Sequence, residues 1–194
     1  MRSPAAAHAS LDARAGLCYT VYAFSHENSG GVKGMRRASS VRSLCLAALV
    51  AALYAALTLA FQAVSFGALQ FRVSEALTLL PTLYPQAVPG LAAGCLLSNL
   101  LGGANAYDVA FGTLSTLLAA QLTRRLRRNI WLAAAPPVLL NAVVIGLVIT
   151  YAYGVNALWL NMLTVGLGEA GVCYALGVPL VKLLKRLDAG RLQN

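Results

Sequence analysis

Two carboxylates lie in apolar stretches of the sequence, where a charge needs a compensating group. Glu75 follows Arg72 by three residues between two long apolar runs, and Glu169 lies in a glycine-containing apolar segment. Because an ionised side chain inside a membrane is costly, such residues usually pair with a charge, carry a proton or bind a ligand. Arg72 and Glu75 share a helix face at this spacing, so mutual neutralisation is the simpler interpretation for that pair. We expect Glu169, and also Glu75, to contact a ligand.

Asparagines accompany these carboxylates in the apolar segments. Turn formation or helix capping also explains Asn99 and Asn105, an N-cap explains Asp108, and a contact with a neighbouring helix explains Asn141. Oxygens of carboxylates and amides accept hydrogen bonds, so together they suit a small polar ligand that carries donors. The predicted substrate-binding residues are Glu75, Asn99, Asn141, Asn161 and Glu169.

The composition is that of a membrane protein. Of the 194 residues, 59% are apolar and 11% are charged, whereas soluble domains carry about 25% charged residues. The net charge of +9 comes from basic clusters that flank apolar runs, which is the pattern of topology signals and not of a nucleic-acid-binding face. The cysteines are widely spaced, and we expect no metal site. The sequence contains no phosphate-binding loop motif and pairs no nucleophile with a histidine, so we expect no cofactor in this chain and no enzymatic activity.

Six apolar segments predict an all-α fold, an integral membrane six-helix bundle. Their approximate bounds are 41–63, 73–83, 87–101, 109–122, 131–153 and 158–184. The second and third are shorter than the ~20 residues that cross a bilayer alone, so partial spans or one kinked element are alternatives for them. Six crossings place all three basic clusters on one side, which the excess of Lys and Arg marks as cytoplasmic. We therefore expect a multi-pass protein with both termini in the cytoplasm and its polar residues in the outer half.

The first 40 residues differ in kind from the rest, since they are mixed and rich in serine and glycine. We expect residues 1–40 to be a disordered N-terminal extension, 41–187 to form the membrane domain and 188–194 to be a short cytoplasmic tail. Met35, followed by two arginines, resembles a natural start. On that interpretation residues 1–34 are an extension or a wrongly assigned start.

Alanines recur every four residues along the first apolar segment, in two adjacent series. Each series forms a smooth strip on one side of a helix, which another helix can approach closely. Packing within the chain and docking of a partner are both compatible with this pattern. The candidate docking residues are Ala47, Ala48, Ala51, Ala52, Ala55 and Ala56.

Three blocks of the sequence resemble the QueT family, the substrate-binding (S) components of energy-coupling factor (ECF) transporters. They are Phe71–Pro81 (FRVSEALTLLP), Pro89–Leu100 (PGLAAGCLLSNL) and Trp159–Glu169 (WLNMLTVGLGE). The resemblance extends over about residues 41–187.

This resemblance implies a substrate-capture subunit of an ECF-type importer in a prokaryotic plasma membrane, with a queuosine precursor, a 7-substituted 7-deazaguanine, as substrate. It also implies a transmembrane coupling subunit and two ATPase subunits as partners, which use the ATP, and docking of the alanine strip onto the coupling subunit. A guanine-like edge presents adjacent N–H donors, which a carboxylate such as Glu75 or Glu169 accepts in pairs. The alternatives are an S component for another vitamin, a stand-alone proton-coupled carrier in which Glu169 titrates, and a membrane assembly subunit without transport activity.

Overall fold

The computed structural model describes residues 29–61, 72–154 and 157–191, with side chains described for 41–61, 72–154 and 157–188. All regular elements in these ranges are helical, which confirms the predicted all-α class. The chain divides into two units after Ser43, and the bundle consists of residues from Leu44 onward.

Six helical segments follow one another in the described residues, and we number them α1 to α6. α1 is Ser29–Ala60, α2 is the 3-10 helix Val73–Thr82, and α3 is Ala87–Leu101. α4 consists of a π-helical turn, Asp108–Gly112, followed by Thr113–Arg125. α5 consists of Ile130–Ala133 and Ala135–Ala152. α6 consists of Leu158–Val172, a π-helical turn, Cys173–Gly177, and Val178–Arg191. These segments correspond to the six that the sequence predicts.

Three of the described segments are long and apolar enough to cross a membrane: Val41–Ala60, Ile130–Ala152 and Leu158–Asp188. α3 is also apolar but has 15 residues, and at 1.5 Å per residue it rises about 22 Å, less than the ~30 Å of a hydrocarbon core. The described helices therefore form a bundle of membrane type, and the number of crossings stays a prediction.

α1 begins at Ser29, twelve residues before the predicted start of the first segment. Because no proline interrupts residues 29–40, the helix continues into this polar stretch. The helix thus extends into residues 29–40, the disorder of the N-terminal extension stays a prediction, and residues 1–28 lie outside the described residues. The helical conformation of α6 likewise continues to Arg191 into the predicted tail.

α2 is an internal element and not a lipid-facing span. Residues 74–81 are all buried, and the helix packs against α4 and against the π-helical turn of α6. Pro81 supplies no backbone N–H, and the hydroxyl of Thr82 donates to the carbonyl of Leu79 at 2.7 Å. A 3-10 helix rises about 2 Å per residue, so these few residues reach about a third further than an α-helix of equal length.

Small residues bring α1 and α3 into close contact. A Cβ atom added at Gly90 would lie 2.5 Å from the carbonyl oxygen of Ala47, and one at Gly94 would lie 2.8 Å from that of Ala51. The glycine step of α3 therefore fits directly against the alanine series of α1, as small residues do at helix contacts in membranes.

This contact corrects half of the predicted docking surface. Ala51 and Ala55 are buried, so the series that contains Ala47 packs within the bundle. The reason is that the backbone of α3, bare of side chains at Gly90 and Gly94, already occupies that side of α1. The exposed candidates are Ala48, Ala52 and Ala56.

Hydrogen bonds of the connecting segments show which helix ends lie at the same end of the bundle. At one end, Tyr84 between α2 and α3 donates a hydrogen bond to Asp188 of α6 at 2.8 Å. At the other end, the backbone N–H of Asn105, between α3 and α4, donates to the hydroxyl of Tyr153, after α5, at 3.4 Å. The described helices α2 to α6 thus run up and down in turn.

Candidate ligand-binding site

The two predicted carboxylates lie in one buried polar cluster. Glu75 in α2 is fully buried, Glu169 in α6 is 3% exposed, and Arg72 is 4% exposed. The charges of all three side chains interact with one another. Arg72 is the one cation among the described residues of this cluster, so its pairing with Glu75 does not account for Glu169.

Glu75 has one carboxylate oxygen held and one open. The hydroxyl of Tyr54, from α1, donates a hydrogen bond to Oε1. The other oxygen, Oε2, is buried and has no hydrogen-bond partner among the described residues. Next to this contact the hydroxyls of Thr58 and Ser74 hydrogen-bond at 2.7 Å, which ties α1 to the start of α2.

Glu169 is also held through one of its two carboxylate oxygens. The amide nitrogen Nδ2 of Asn141, in α5, donates to Oε1 of Glu169 at 3.0 Å. The hydroxyl of Ser115, in α4, donates to Oδ1 of Asn141 at 2.7 Å and so fixes which end of the amide faces Glu169. Within the part of the chain that the structure describes, Oε2 of Glu169 is buried without a partner. Asn141 therefore does contact a neighbouring helix, and it does so through the candidate site.

Asn99 and Asp108 provide two further open acceptors. Asn99 lies inside α3, fully buried, and its Nδ2 donates to the backbone oxygen of Asp108 at 3.1 Å. The hydroxyl of Tyr153 donates to Oδ2 of Asp108 at 2.5 Å. Oδ1 of Asn99 and Oδ1 of Asp108 are buried and have no partner in the described ranges.

Of the three residues that the sequence suggested as helix caps or turn residues, one has that role in the structure. Asp108 is not an N-cap, because it lies within the π-helical turn and its carboxylate accepts from Tyr153. Asn99 is not a turn residue either, since α3 continues past it. Asn105 does form a turn, and its Oδ1 accepts from the backbone N–H of Tyr107 at 3.3 Å.

Asn161 lies apart from the carboxylates. Its Nδ2 donates to the hydroxyl of Thr150, in α5, at 3.0 Å. Eight residues separate it from Glu169 along α6, which corresponds to about 12 Å of helix rise. The structure therefore brings Glu75, Asn141 and Glu169 together, with Asn161 nearer to the α5–α6 connection.

Sequence reasoning missed three residues that shape this site: Tyr54, Asp108 and Ser115. Tyr54 is the one aromatic side chain of α1 and stands among alanines, which is a usable signal. A serine in a membrane helix often bonds its own backbone, so Ser115 carries no signal in sequence alone.

The buried polar atoms that lack a hydrogen-bond partner indicate what kind of ligand the site accepts. Four of them are acceptors, namely Oε2 of Glu75, Oε2 of Glu169, Oδ1 of Asn99 and Oδ1 of Asp108. A buried acceptor that lacks a donor costs about 1–3 kcal/mol, so a ligand that supplies donors recovers that cost on binding. No group of three or more metal-ligating side chains occurs among the described residues. The arrangement is therefore suited to an organic ligand rich in N–H or O–H donors.

Comparison with known proteins gives a relative of named function. The chain is 40% identical over 77 residues to the queuosine precursor transporter QueT of Lactococcus lactis subsp. cremoris (strain MG1363). This match covers 39% of the chain and 45% of that protein, so the chain spans less than half the length of the curated relative. No solved structure matches the chain significantly. The QueT transporter family matches residues 44–186, which include part or all of each of the six helices and all the site residues. The chain belongs to the QueT transporter family.

Proposed function

We propose that this chain is the substrate-capture (S) subunit of an ECF-type ABC importer and that it binds a queuosine precursor, a 7-substituted 7-deazaguanine. Membership of a transporter family and the partial match to a queuosine precursor transporter support the class of substrate. The observation that carries the proposal is the pair of buried carboxylates, Glu75 and Glu169, each with one oxygen held and one open.

The chemistry of a guanine-like edge matches these open acceptors. The ring N–H and the neighbouring exocyclic amino group are adjacent donors, and one carboxylate accepts both in a fork. Tyr54 and Asn141 hold the two carboxylates in place before the ligand binds. The entropic cost of ordering these side chains on binding is therefore small. Asn99 offers a further acceptor, and Asn161 lies nearer to the predicted outer end.

Import by such a subunit requires partners. We assign energy coupling to a transmembrane coupling subunit and two ATPase subunits, which use ATP outside this chain. The exposed alanines Ala48, Ala52 and Ala56 form the remaining small-residue strip for docking. Transport of this kind needs no covalent chemistry in the chain, and we assign it no enzymatic activity.

We also propose a multi-pass topology in a prokaryotic plasma membrane with both termini in the cytoplasm. The basic turn after α4 lies at the end of the bundle where Tyr84 meets Asp188. At the start of α5, Trp131 stacks on Tyr174 with the Lys182 ammonium 4.8 Å from its ring, and Trp159 is exposed at the start of α6. Aromatic residues concentrate at both membrane interfaces, so these two tryptophans are expected to mark the two faces.

Calorimetry on the purified chain tests the ligand assignment. We expect 7-aminomethyl- or 7-cyano-7-deazaguanine to bind tightly, and vitamins that lack a guanine-like donor edge to bind weakly. Glu75→Gln and Glu169→Gln should each reduce the affinity by at least about 100-fold, because a donor then faces the donors of the ligand. Asp188→Asn makes the same chemical change at an exposed carboxylate and should leave the affinity unchanged.

Two outcomes would reject parts of this proposal. Absence of binding to every deazaguanine would overturn the substrate. The chain could also take up its substrate without ATPase partners and stop when the proton gradient collapses. That result would overturn the assignment as an S component in favour of a stand-alone carrier in which Glu169 exchanges a proton.

A further inference from the structure

A cavity lies between the beginning of α3 and the end of α4, away from the buried carboxylates. Its volume is about 490 Å³, and its lining residues are Val88, Gln121, Arg124, Arg125 and Arg127. The three arginines are exposed. This cavity contributes nothing to the ligand site and has no role in the function proposed above.

The described residues supply few carboxylates that could neutralise the arginines of this cavity. The described residues contain four carboxylates, and three of them, Glu75, Asp108 and Glu169, are buried in the ligand site. The fourth, Asp188, accepts a hydrogen bond from Tyr84. None of these four described carboxylates forms an ion pair with the arginines of the cavity, so the arginines are available to an anionic group from lipid or from solvent.

The local fields favour an anion in this position. Three guanidinium charges outweigh the partial charge of about −0.5 at the carboxyl end of α4. Val88 belongs to the first turn of α3, whose amino end carries a partial positive charge. Arginine binds phosphate oxygens through two parallel N–H donors, and Gln121 adds a neutral amide.

An apolar surface continues from the cavity along the same helix. Leu114, Leu118 and Leu122 recur every four residues on α4, and they are 51%, 46% and 39% exposed. This leucine stripe ends next to Gln121 and Arg125 in the cavity lining. A free phosphate compound uses the cavity alone, whereas a phospholipid uses the cavity for its headgroup and the stripe for an acyl chain.

We propose that this arginine cavity binds the phosphate group of one anionic phospholipid, with an acyl chain along the leucine stripe. This site differs from the general attraction of basic segments to anionic membranes. General attraction is worth about fivefold in affinity for each Lys or Arg near the surface, wherever that residue stands in the cluster. At a defined binding site, by contrast, the loss of affinity depends on which arginine is substituted.

Arg128 provides the matched control, since it is exposed in the same turn and does not line the cavity. The full-length chain, purified and stripped of lipid, would be titrated with dioleoyl phosphatidylglycerol and followed by native mass spectrometry. We expect one saturable adduct. Arg124→Gln and Arg127→Gln should each weaken it by about tenfold or more, the size expected for a charge-assisted hydrogen bond. Arg128→Gln should weaken it less than about twofold, and Leu118→Ser should shift binding in the same direction as the cavity variants.

Each alternative predicts a different result. Equal losses for Arg127→Gln and Arg128→Gln would overturn the site in favour of general attraction. Displacement of the lipid by inorganic phosphate at low millimolar concentration, with no effect of Leu118→Ser, would identify a free phosphate compound as the ligand and overturn the lipid assignment. Deazaguanine binding by the same variants reports on the substrate site, so failure of one proposal does not imply failure of the other.

Discussion

The hydroxyl of Tyr54 donates a hydrogen bond to Oε1 of Glu75, while Oε2 of the same carboxylate is buried and open among the described residues. The two residues belong to different helices, α1 and α2, and neither is exposed. Tyr54 therefore fixes the orientation of the Glu75 carboxylate and leaves Oε2 available to accept a hydrogen bond from a ligand. It is a positioning residue for the proposed ligand.

Removing this hydroxyl tests the positioning role. Tyr54→Phe keeps the ring and its packing but leaves both oxygens of Glu75 without a hydrogen-bond donor among the described residues. We expect the affinity for a deazaguanine ligand to fall by about tenfold, the size of a hydrogen bond to a charged group. Calorimetry measures this change. Tyr174→Phe removes a hydroxyl that donates to the backbone oxygen of Trp131 and should not alter the affinity; an equal loss in both variants would contradict the role of Tyr54.

Ser115 is expected to act on the ligand only through Asn141 and Glu169. Ser115→Ala frees the amide of Asn141 to rotate, which removes the donor that holds Oε1 of Glu169. We expect about a fivefold to tenfold loss of affinity in the otherwise unchanged protein. In a Glu169→Gln background the same substitution should have little further effect, because coupled residues give non-additive changes. Additive losses in this double-mutant cycle would show that Ser115 acts by another route.

The contact of Gly90 with Ala47 predicts a large stability difference between two glycine-to-alanine variants. Gly90→Ala places a methyl group 2.5 Å from a backbone oxygen, which has no room to move. The overlap costs about 1–3 kcal/mol, and the better helix propensity of alanine returns about 1 kcal/mol. At Gly166 the nearest atom is the Ala142 methyl at 3.3 Å, so Gly166→Ala should be close to neutral. Thermal unfolding in detergent compares the two, and equal melting temperatures would contradict the close packing of α1 on α3.

The two alanine series of α1 should respond differently to the same substitution. Ala52→Leu adds a side chain on the exposed side, so the isolated chain should remain folded and bind its ligand. We expect this variant to lose co-purification with the coupling subunit, since a leucine prevents close helix approach. Ala51→Leu, on the buried side against Gly94, should instead unfold the isolated chain. Normal complex formation by Ala52→Leu would remove the docking role of the exposed series.

The helical class and the positions of the six segments were predictable from the sequence, because apolar runs bounded by basic clusters leave few other folds. The meeting of Glu75 with Glu169 was also foreseeable, since charges within apolar segments are few and have to face inward. The alanine periodicity revealed both strips of α1 but not which one faces α3. Adjacent residues on a helix differ by about 100°, so the choice depends on where α3 lies.

Other features of the site depend on contacts that no local pattern reveals. The 3-10 conformation of α2 arises in a stretch of good helix formers such as Glu75, Ala76 and Leu77, so confinement by the surrounding helices decides it. Asp108 has the sequence context of an N-cap, and its burial follows from the approach of Tyr153, 45 residues later.

The unusual helical turns described above also bear on motion. The 3-10 helix α2 carries Glu75, one π-helical turn begins at Asp108, and the other begins at Cys173, one turn after Glu169. Hydrogen bonds in 3-10 segments are poorer than in α-helices, and π-helical turns are rare and occur often at functional sites. The backbone is therefore most easily rewound next to the residues of the proposed ligand site. A local shift between helix types in these turns would rotate Glu75, Asp108 and Glu169 about their helix axes without altering the close contact of α1 with α3.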